Sequence, residues 1–157
     1  MSAVLNVPLG AAAGVAGSGT MSIFLEALKA AGTIDREPPE IITENVERKA
    51  GARVLPADDF TPRWIGAHTA FGAAMGGVFG AMRGVLPRNT VAAGSLFGAG
   101  LWTTMYPLTL PVAGLYPRPD DDHRPRAWAI AAGHLIYGLT LAAAFDTARC
   151  SARRRDR

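Results

Sequence analysis

The sequence has little of the chemistry that marks common enzymes and metal proteins. It contains one cysteine, Cys150, and three histidines among 157 residues. A single cysteine leaves no disulfide framework and no zinc-type ligand spacing. No Walker loop, dinucleotide-binding fingerprint, nucleophile elbow or HExxH helix occurs. We therefore predict no enzymatic activity, no metal site and no cofactor.

Charge is also scarce, and its distribution is uneven. Charged residues make up 18% of the chain. They are confined to residues 26–63, Arg83 with Arg88, residues 118–126 and the tail from Asp146. Between these places lie four nearly charge-free windows, each of about the 20 residues that a helix needs to cross a bilayer. A soluble amphipathic helix would carry a charged face throughout its length.

This pattern predicts an all-α fold, an integral membrane four-helix bundle that forms a single domain over residues 1–157. The expected spans are residues 7–27, 64–82, 90–110 and 127–145. Mean hydropathy is only +0.15, because alanine and glycine carry much of the apolar content. A soluble bundle rich in these two residues is therefore the alternative.

The polar segments set the expected location and partners. The net charge of +3 comes mostly from the tail, residues 146–157, which has no aromatic interleaving and predicts no nucleic-acid binding. A basic tail beside a membrane sets orientation or touches anionic lipid. We expect a multi-pass protein of the inner (plasma) membrane with both termini in the cytoplasm. No Lys or Arg precedes the first apolar run, which argues against a cleaved signal peptide.

The longest connection lies between the first two spans. Its first part has the residue pattern of a helix and its second part that of a loop. Residues 39–50 have Ile42 and Val46 on one side and acidic residues elsewhere, which predicts an interfacial amphipathic helix. Residues 53–63 contain prolines and aspartates and are expected to form a loop. In the last connection, the run Asp120–Asp122 lacks the glycine and glutamate of a calcium loop.

Small residues recur every four positions in the expected spans. Such rows form one stripe along a helix and let a second helix approach closely in a membrane. We expect helix packing at Gly10, Gly14, Gly72, Gly76, Gly80, Gly94, Gly98 and Gly138.

The two halves of the chain resemble each other. Gly10 and Gly14 correspond to Gly94 and Gly98, and GAHTAFG corresponds to AGHLIYG, which pairs His68 with His134. Each half would be a helical hairpin, so the second hairpin would start on the same side as the first. The repeat would be parallel, unlike the inverted repeats of several transporters.

With these residues in view, the chain resembles the YagU-like family of small bacterial inner-membrane proteins of unknown function. The residues that carry the resemblance are the glycine-rich first span leading to Met21 and Glu26, the proline-rich loop, His68 with Gly72, Gly98 to Tyr106, and His134 to Gly138. The resemblance implies a four-helix integral membrane protein and no mechanism.

A polar cluster inside the membrane is the best candidate site, because ionisable residues there are often functional. From the expected depth of each residue in the bilayer, and from the side at which its helix enters or ends, we expect the cluster to contain His68, His134, Glu26, Tyr106, Tyr137 and Thr104. The alternative is structural: a neutral histidine can donate to one helix and accept from another. Haem ligation by two histidines is also possible in a helical bundle, whereas zinc would need further ligands.

Two function classes remain open. The first is a structural or accessory membrane subunit that packs through its glycine stripes against itself or a membrane-protein partner. The second is a small transporter or proton- or ion-conducting protein that uses the intramembrane His/Glu cluster. Glycine stripes left facing lipid would favour the subunit, and a cavity lined by both histidines and Glu26 would favour transport.

Overall fold

The computed structural model describes residues 3–52 and 57–155, and these residues form helices without any strand. The elements are α1 (Ala3–Ala30), α2 (Pro38–Lys49), α3 (Ala57–Met82), α4 (Thr90–Thr104), a π-helical segment (Met105–Thr109), α5 (Leu110–Val112) and α6 (Arg124–Arg155). Two of the described helices are long and apolar enough to cross a membrane, through Asn6–Ala30 and Arg124–Ala152.

Local sequence explains where several helices begin and end. The Asn89 side chain caps α4 by accepting a hydrogen bond of 2.9 Å from the Ala92 amide. Pro38 and Pro39 occupy the first positions of α2, where a missing N–H costs nothing. Gly32 and Gly51 have a φ of 71° just after α1 and α2 and reverse the chain there.

The long helices pack as antiparallel neighbours. α1 packs against both α3 and α6, and α6 also packs against α4. A Cβ atom added to Gly14 would lie less than 3.0 Å from the Gly72 carbonyl oxygen, and one added to Gly98 would lie equally close to the His134 carbonyl. A Cβ added to Gly72 would meet the Ser18 side chain. The same limit against backbone atoms holds for Gly10, Gly76, Gly80, Gly94 and Gly138. At each of these positions there is room for a hydrogen atom only.

An aromatic cluster fills the interior away from α2. Phe79 and Phe145 are fully buried, and their ring centroids lie 5.6 Å apart in an edge-to-face arrangement. Phe97 from α4 meets the same ring of Phe79 at 5.3 Å. Aromatic edge-to-face contacts add to the gain from burial alone. This cluster joins α3, α4 and α6.

A buried ion pair fixes the end of the structure opposite α2. Arg83 is 8% exposed, and its Nη2 atom lies 2.8 Å from Asp146 Oδ2. Arg83 also donates to the Pro87 and Arg88 carbonyls, while Thr90 donates to Asp146 at 2.7 Å. The guanidinium group thus satisfies the backbone of the α3–α4 turn as well as the carboxylate.

The structure differs from the sequence prediction at three boundaries. The expected loop over residues 53–63 is helical from Ala57, and residues 53–56 lie outside the described part. α6 continues past Asp146 to Arg155, and Asp146 pairs across the fold with Arg83. The third window is α-helical only to Thr104, and Pro107 then lies within the π-helical turn.

Candidate functional site

A cavity of about 250 Å³ lies between the helices at the end of the fold that carries α2. Every helix and the loop before α6 contribute to its wall. Most of the wall is apolar, formed by residues such as Met21, Ile42, Phe71, Leu101 and Ile130. A small number of polar side chains within apolar walls is the usual composition of a small-molecule site.

Both histidines of the predicted polar cluster line this cavity. His68 comes from α3 and His134 from α6. The His134 Nδ1 atom lies 2.8 Å from the Ile130 carbonyl oxygen, and it must donate because a carbonyl can only accept. His68 Nε2 is buried and has no hydrogen-bond partner among the described residues. A buried nitrogen without a partner is costly, so the position calls for a ligand or water.

Two tyrosines line the same cavity, and each already donates its hydroxyl hydrogen to a protein acceptor. Tyr137 donates to the Gly72 carbonyl oxygen at 2.7 Å and thereby ties α6 to α3. Tyr106, in the π-helical segment, donates to Asp122 Oδ2 at 2.9 Å. Asp122 is held in turn by the Arg126 guanidinium, with Nη2 at 2.6 Å from Oδ1. These bonds fix both rings in the cavity wall.

Ser18 and Tyr116 add two further hydroxyl groups to the wall. Both side chains are almost fully buried. The Ser18 oxygen has no hydrogen-bond partner among the residues described here, whereas the Tyr116 hydroxyl lies beside the Asp122 carboxylate. Burial raises the pKa of Tyr116, with the Asp122 carboxylate nearby adding to the shift. His68 and Ser18 thus each bring a buried polar atom without a partner among the described residues to the wall of one apolar space.

The amphipathic helix α2 covers the cavity. Pro38, Ile42 and Val46 from its apolar side lie in the cavity wall. Its polar side is tied to the rest of the fold: Asn45 donates to the Leu115 carbonyl at 2.9 Å, and Lys49 donates to the Ala113 carbonyl at 2.6 Å. Polar contacts at its edges therefore hold α2 over an apolar space.

A pair of carboxylates sits where α1 meets α2. The Glu37 side chain is fully buried, and its nearest cation is Lys29 Nζ at 3.8 Å. Burial, with the Glu26 carboxylate close by, raises the pKa of Glu37 from its usual 4.5 to about 8, and Lys29 does not offset this. Glu37 begins α2, so its protonation state bears on how that helix is held.

The structure brings together four of the six side chains that the sequence places in one cluster. His68, His134, Tyr106 and Tyr137 line the cavity. Glu26 does not: it lies eight residues beyond Ser18, and eight residues turn a helix by about 80° beyond two full turns. Thr104 is exposed and donates back to the Gly100 carbonyl of its own helix at 2.9 Å. The carboxylate expected beside the histidines is therefore elsewhere.

Sequence reasoning missed Ser18 and Tyr116 as members of this site. Ser18 falls on the i+4 row of small residues in α1, where a serine is read as one more packing residue. Tyr116 lies in the connection before α6, outside any periodic pattern. Only the folded chain shows that this connection turns back to the cavity.

The site offers no metal centre in the described part of the chain, where no group of three or more His, Cys, Asp or Glu side chains could hold an ion. Two comparisons with known proteins return no match. No curated protein is similar to this chain, and no solved structure is either. The YagU-like resemblance therefore stays a prediction. A model for a family of unknown function, DUF6789, matches residues 4–155, and the chain belongs to that family.

Proposed function

We propose that this chain is a multi-pass membrane protein whose cavity between the helices binds a small apolar molecule with one polar group. The observation that carries the proposal is the apolar cavity of about 250 Å³, whose wall also includes a few polar residues such as His68, His134 and Tyr116. In this proposal α1, α3, α4 with α5, and α6 cross the bilayer as a four-helix bundle.

The outer surface of the long helices supports insertion in a membrane. Ile23 on α1 is 73% exposed, and Val91 and Leu96 on α4 are 63% and 57% exposed. Two helices also have the length and composition of membrane spans. In water this much exposed aliphatic surface would be a liability, whereas in a bilayer it is the lipid contact.

The glycine contacts favour a binding role over an accessory-subunit role. Gly14 meets Gly72 and Gly76, and Gly98 meets Gly138 and the His134 backbone, so these rows serve contacts between the chain's own helices. An accessory subunit built on glycine stripes would need such a row on its outer face. The equivalence of Gly14 with Gly98 and of His68 with His134 also supports the proposed hairpin duplication.

The apolar wall favours binding over ion conduction. A proton or ion path needs a chain of polar or ionisable groups across the membrane. Here the carboxylate expected beside the histidines, Glu26, is outside the cavity, and aliphatic and aromatic side chains dominate the lining. The space suits an uncharged molecule better than an ion.

The cavity volume sets the size of the ligand. An engineered cavity of about 150 Å³ binds benzene, with its six carbon atoms. By proportion, a cavity of about 250 Å³ holds about ten non-hydrogen atoms. A single ring with a short substituent fits this volume.

Binding can be tested with the protein in lipid nanodiscs and three probes of about this size: propylbenzene, 4-propylanisole and 4-propylphenol. We expect saturable binding of at least one probe, measured by titration calorimetry against empty nanodiscs. Ala67 lines the cavity and Ala70 is exposed on the same helix without lining it. Ala67→Phe should abolish binding, and Ala70→Phe should not. Non-saturable partitioning of all three probes would refute the proposal.

A further inference from the structure

A buried carboxyl group stands at the start of the helix that covers the cavity. Glu37 immediately precedes α2, and its side chain is fully buried. Neither of its carboxyl oxygens accepts a hydrogen bond from an amide, hydroxyl or cationic group of the described residues. The side chain also makes no hydrogen bond to the first amides of α2. A buried charge without such partners is costly, so the position favours the protonated, uncharged form of Glu37.

The cations near Glu37 do not offset a negative charge there. Lys29 of α1 places its Nζ atom 3.8 Å from Glu37 Oε1 and 3.7 Å from Glu40 Oε2, so two carboxylates share it. Both distances exceed the length of a hydrogen bond. The Arg36 guanidinium is bound to Glu40 at 3.1 Å and to Glu44 at 2.7 Å instead. The charge of a deprotonated Glu37 would therefore remain largely uncompensated.

The group that does come within hydrogen-bonding reach of Glu37 is a second carboxyl group, that of Glu26 on α1. Two carboxyl groups form a hydrogen bond only when one of them carries a proton. Burial, together with the Glu26 carboxyl, raises the pKa of Glu37 to about 8. The shared proton thus joins the end of α1 to the start of α2, and its removal leaves two adjacent negative charges.

The residues that follow Glu37 connect it to the cavity. Pro38 and Pro39 are buried and line the cavity wall. Further along α2, Ile42 packs against the buried cluster that contains Ile130. Because proline fixes its own backbone φ angle, the two prolines form a stiff link between the carboxyl group and the helix. A movement of the Glu37 side chain towards water would therefore lift the start of α2 from the cavity.

We propose that the proton shared by Glu26 and Glu37 holds α2 closed over the cavity, and that loss of this proton opens the cavity to water. In the open state the Glu37 carboxylate is solvated, and its ordinary pKa of 4.5 applies. Between pH 4.5 and 8, closure therefore takes up one proton, and each rise of one pH unit favours opening about tenfold. This inference rests on the proposed binding function, to which it adds regulation by pH.

The opening can be measured without any ligand, from the reactivity of a cysteine placed beneath α2. Ile130 is 3% exposed and lines the cavity, so Ile130→Cys reports access to it. Cys150 is exposed in the same chain and reports how the reagent itself responds to pH. Both thiols are labelled in nanodiscs with a charged methanethiosulfonate and quantified by mass spectrometry of their peptides. We expect the rate at the introduced cysteine, relative to Cys150, to rise about tenfold per pH unit between about pH 5 and 7.

Two variants in the Ile130→Cys chain assign the response to Glu37. Glu37→Gln cannot lose a proton, and its amide can still donate to Glu26, so its relative rate should stay low and independent of pH. Glu44 lies on α2 outside the cavity wall and is bound to Arg36. Glu44→Gln is therefore the matched control and should keep the pH response.

A relative rate that does not change with pH in the Ile130→Cys chain would overturn the inference and leave the binding function standing. A response of equal size in Glu37→Gln would overturn it as well. If Glu37→Gln fails to fold, the profile of the Ile130→Cys chain still decides. Failure of all three probes to bind the unaltered protein at any pH would instead refute the proposed binding function.

Discussion

Replacing Gly14 by alanine tests whether close backbone contact holds α1 against α3. The added Cβ would lie less than 3.0 Å from the Gly72 carbonyl oxygen, whereas ordinary contact begins at 3.4 Å. Neither backbone can rotate away as a flexible side chain would, so the two helices must separate. A gap of about 0.5–1 Å already forfeits a quarter to a half of the dispersion energy across a contact.

The expected loss in free energy of unfolding follows from comparison with Gly19 on the same helix, where an added Cβ would meet nothing within 4 Å. Both substitutions gain the same helix propensity, about 1 kcal/mol for alanine over glycine. That gain cancels between the variants and leaves the overpacking cost of about 1–3 kcal/mol at Gly14. We expect Gly14→Ala to have a free energy of unfolding lower than Gly19→Ala by this amount.

The assay is reversible unfolding in mixed detergent micelles, followed by circular dichroism. Equal free energies of unfolding for Gly14→Ala and Gly19→Ala would refute the reasoning, because they would show that α1 and α3 do not meet at the glycine row. Gly98→Ala should behave like Gly14→Ala, since its Cβ would meet the His134 carbonyl on α6. Gly100→Ala, which has open space, is its matched control.

Three further predictions concern the membrane, pH and the histidines. Carbonate washing should leave the protein in the membrane pellet, and release into the supernatant would support the soluble bundle instead. Because the folded state raises the pKa of Glu37 from 4.5 to about 8, it binds that proton more tightly than the unfolded state does. The contribution of Glu37 to stability should be greatest below about pH 4.5 and should be lost as the pH rises through 8; Glu37→Gln should remove this fall, and a fall of equal size in that variant would assign it to another group. Finally, His68→Gln and His134→Gln should be non-additive in a double-mutant cycle of stability, and strict additivity would place the two rings in separate environments.

The sequence predicts the helices well because their signals are local. The four charge-poor windows fall within α1, α3, α4 with its continuation, and α6, and the amphipathic segment is α2. The π-helical turn could not be predicted: Pro107 and Pro111 indicate that the helix is disturbed, but not which carbonyls find new partners. In the structure, Thr109 donates to the Thr104 carbonyl at 2.7 Å and so satisfies one of them.

The site is only partly readable from sequence because it depends on how helices rotate about their axes. The His68 and His134 motifs match, and both rings reach one cavity. Glu26 shares an i+4 row with Ser18, but that row drifts by about 40° for every four residues, which is enough to separate them over two steps. The contribution of Tyr116 depends on the path of a non-helical connection, for which periodicity gives no information.

Locating a bound probe directly is the most decisive test of the central claim, that the chain holds a small ring molecule between its helices. The measurement is anomalous diffraction at the bromine edge from crystals grown in a lipidic phase with 4-bromophenol. The account predicts one bromine peak enclosed by α3, α6 and the π-helical segment, in contact with side chains such as Met105 and Ile130. Bromine peaks found only on the lipid-facing surface, with the cavity empty or filled by rearranged side chains, would contradict it.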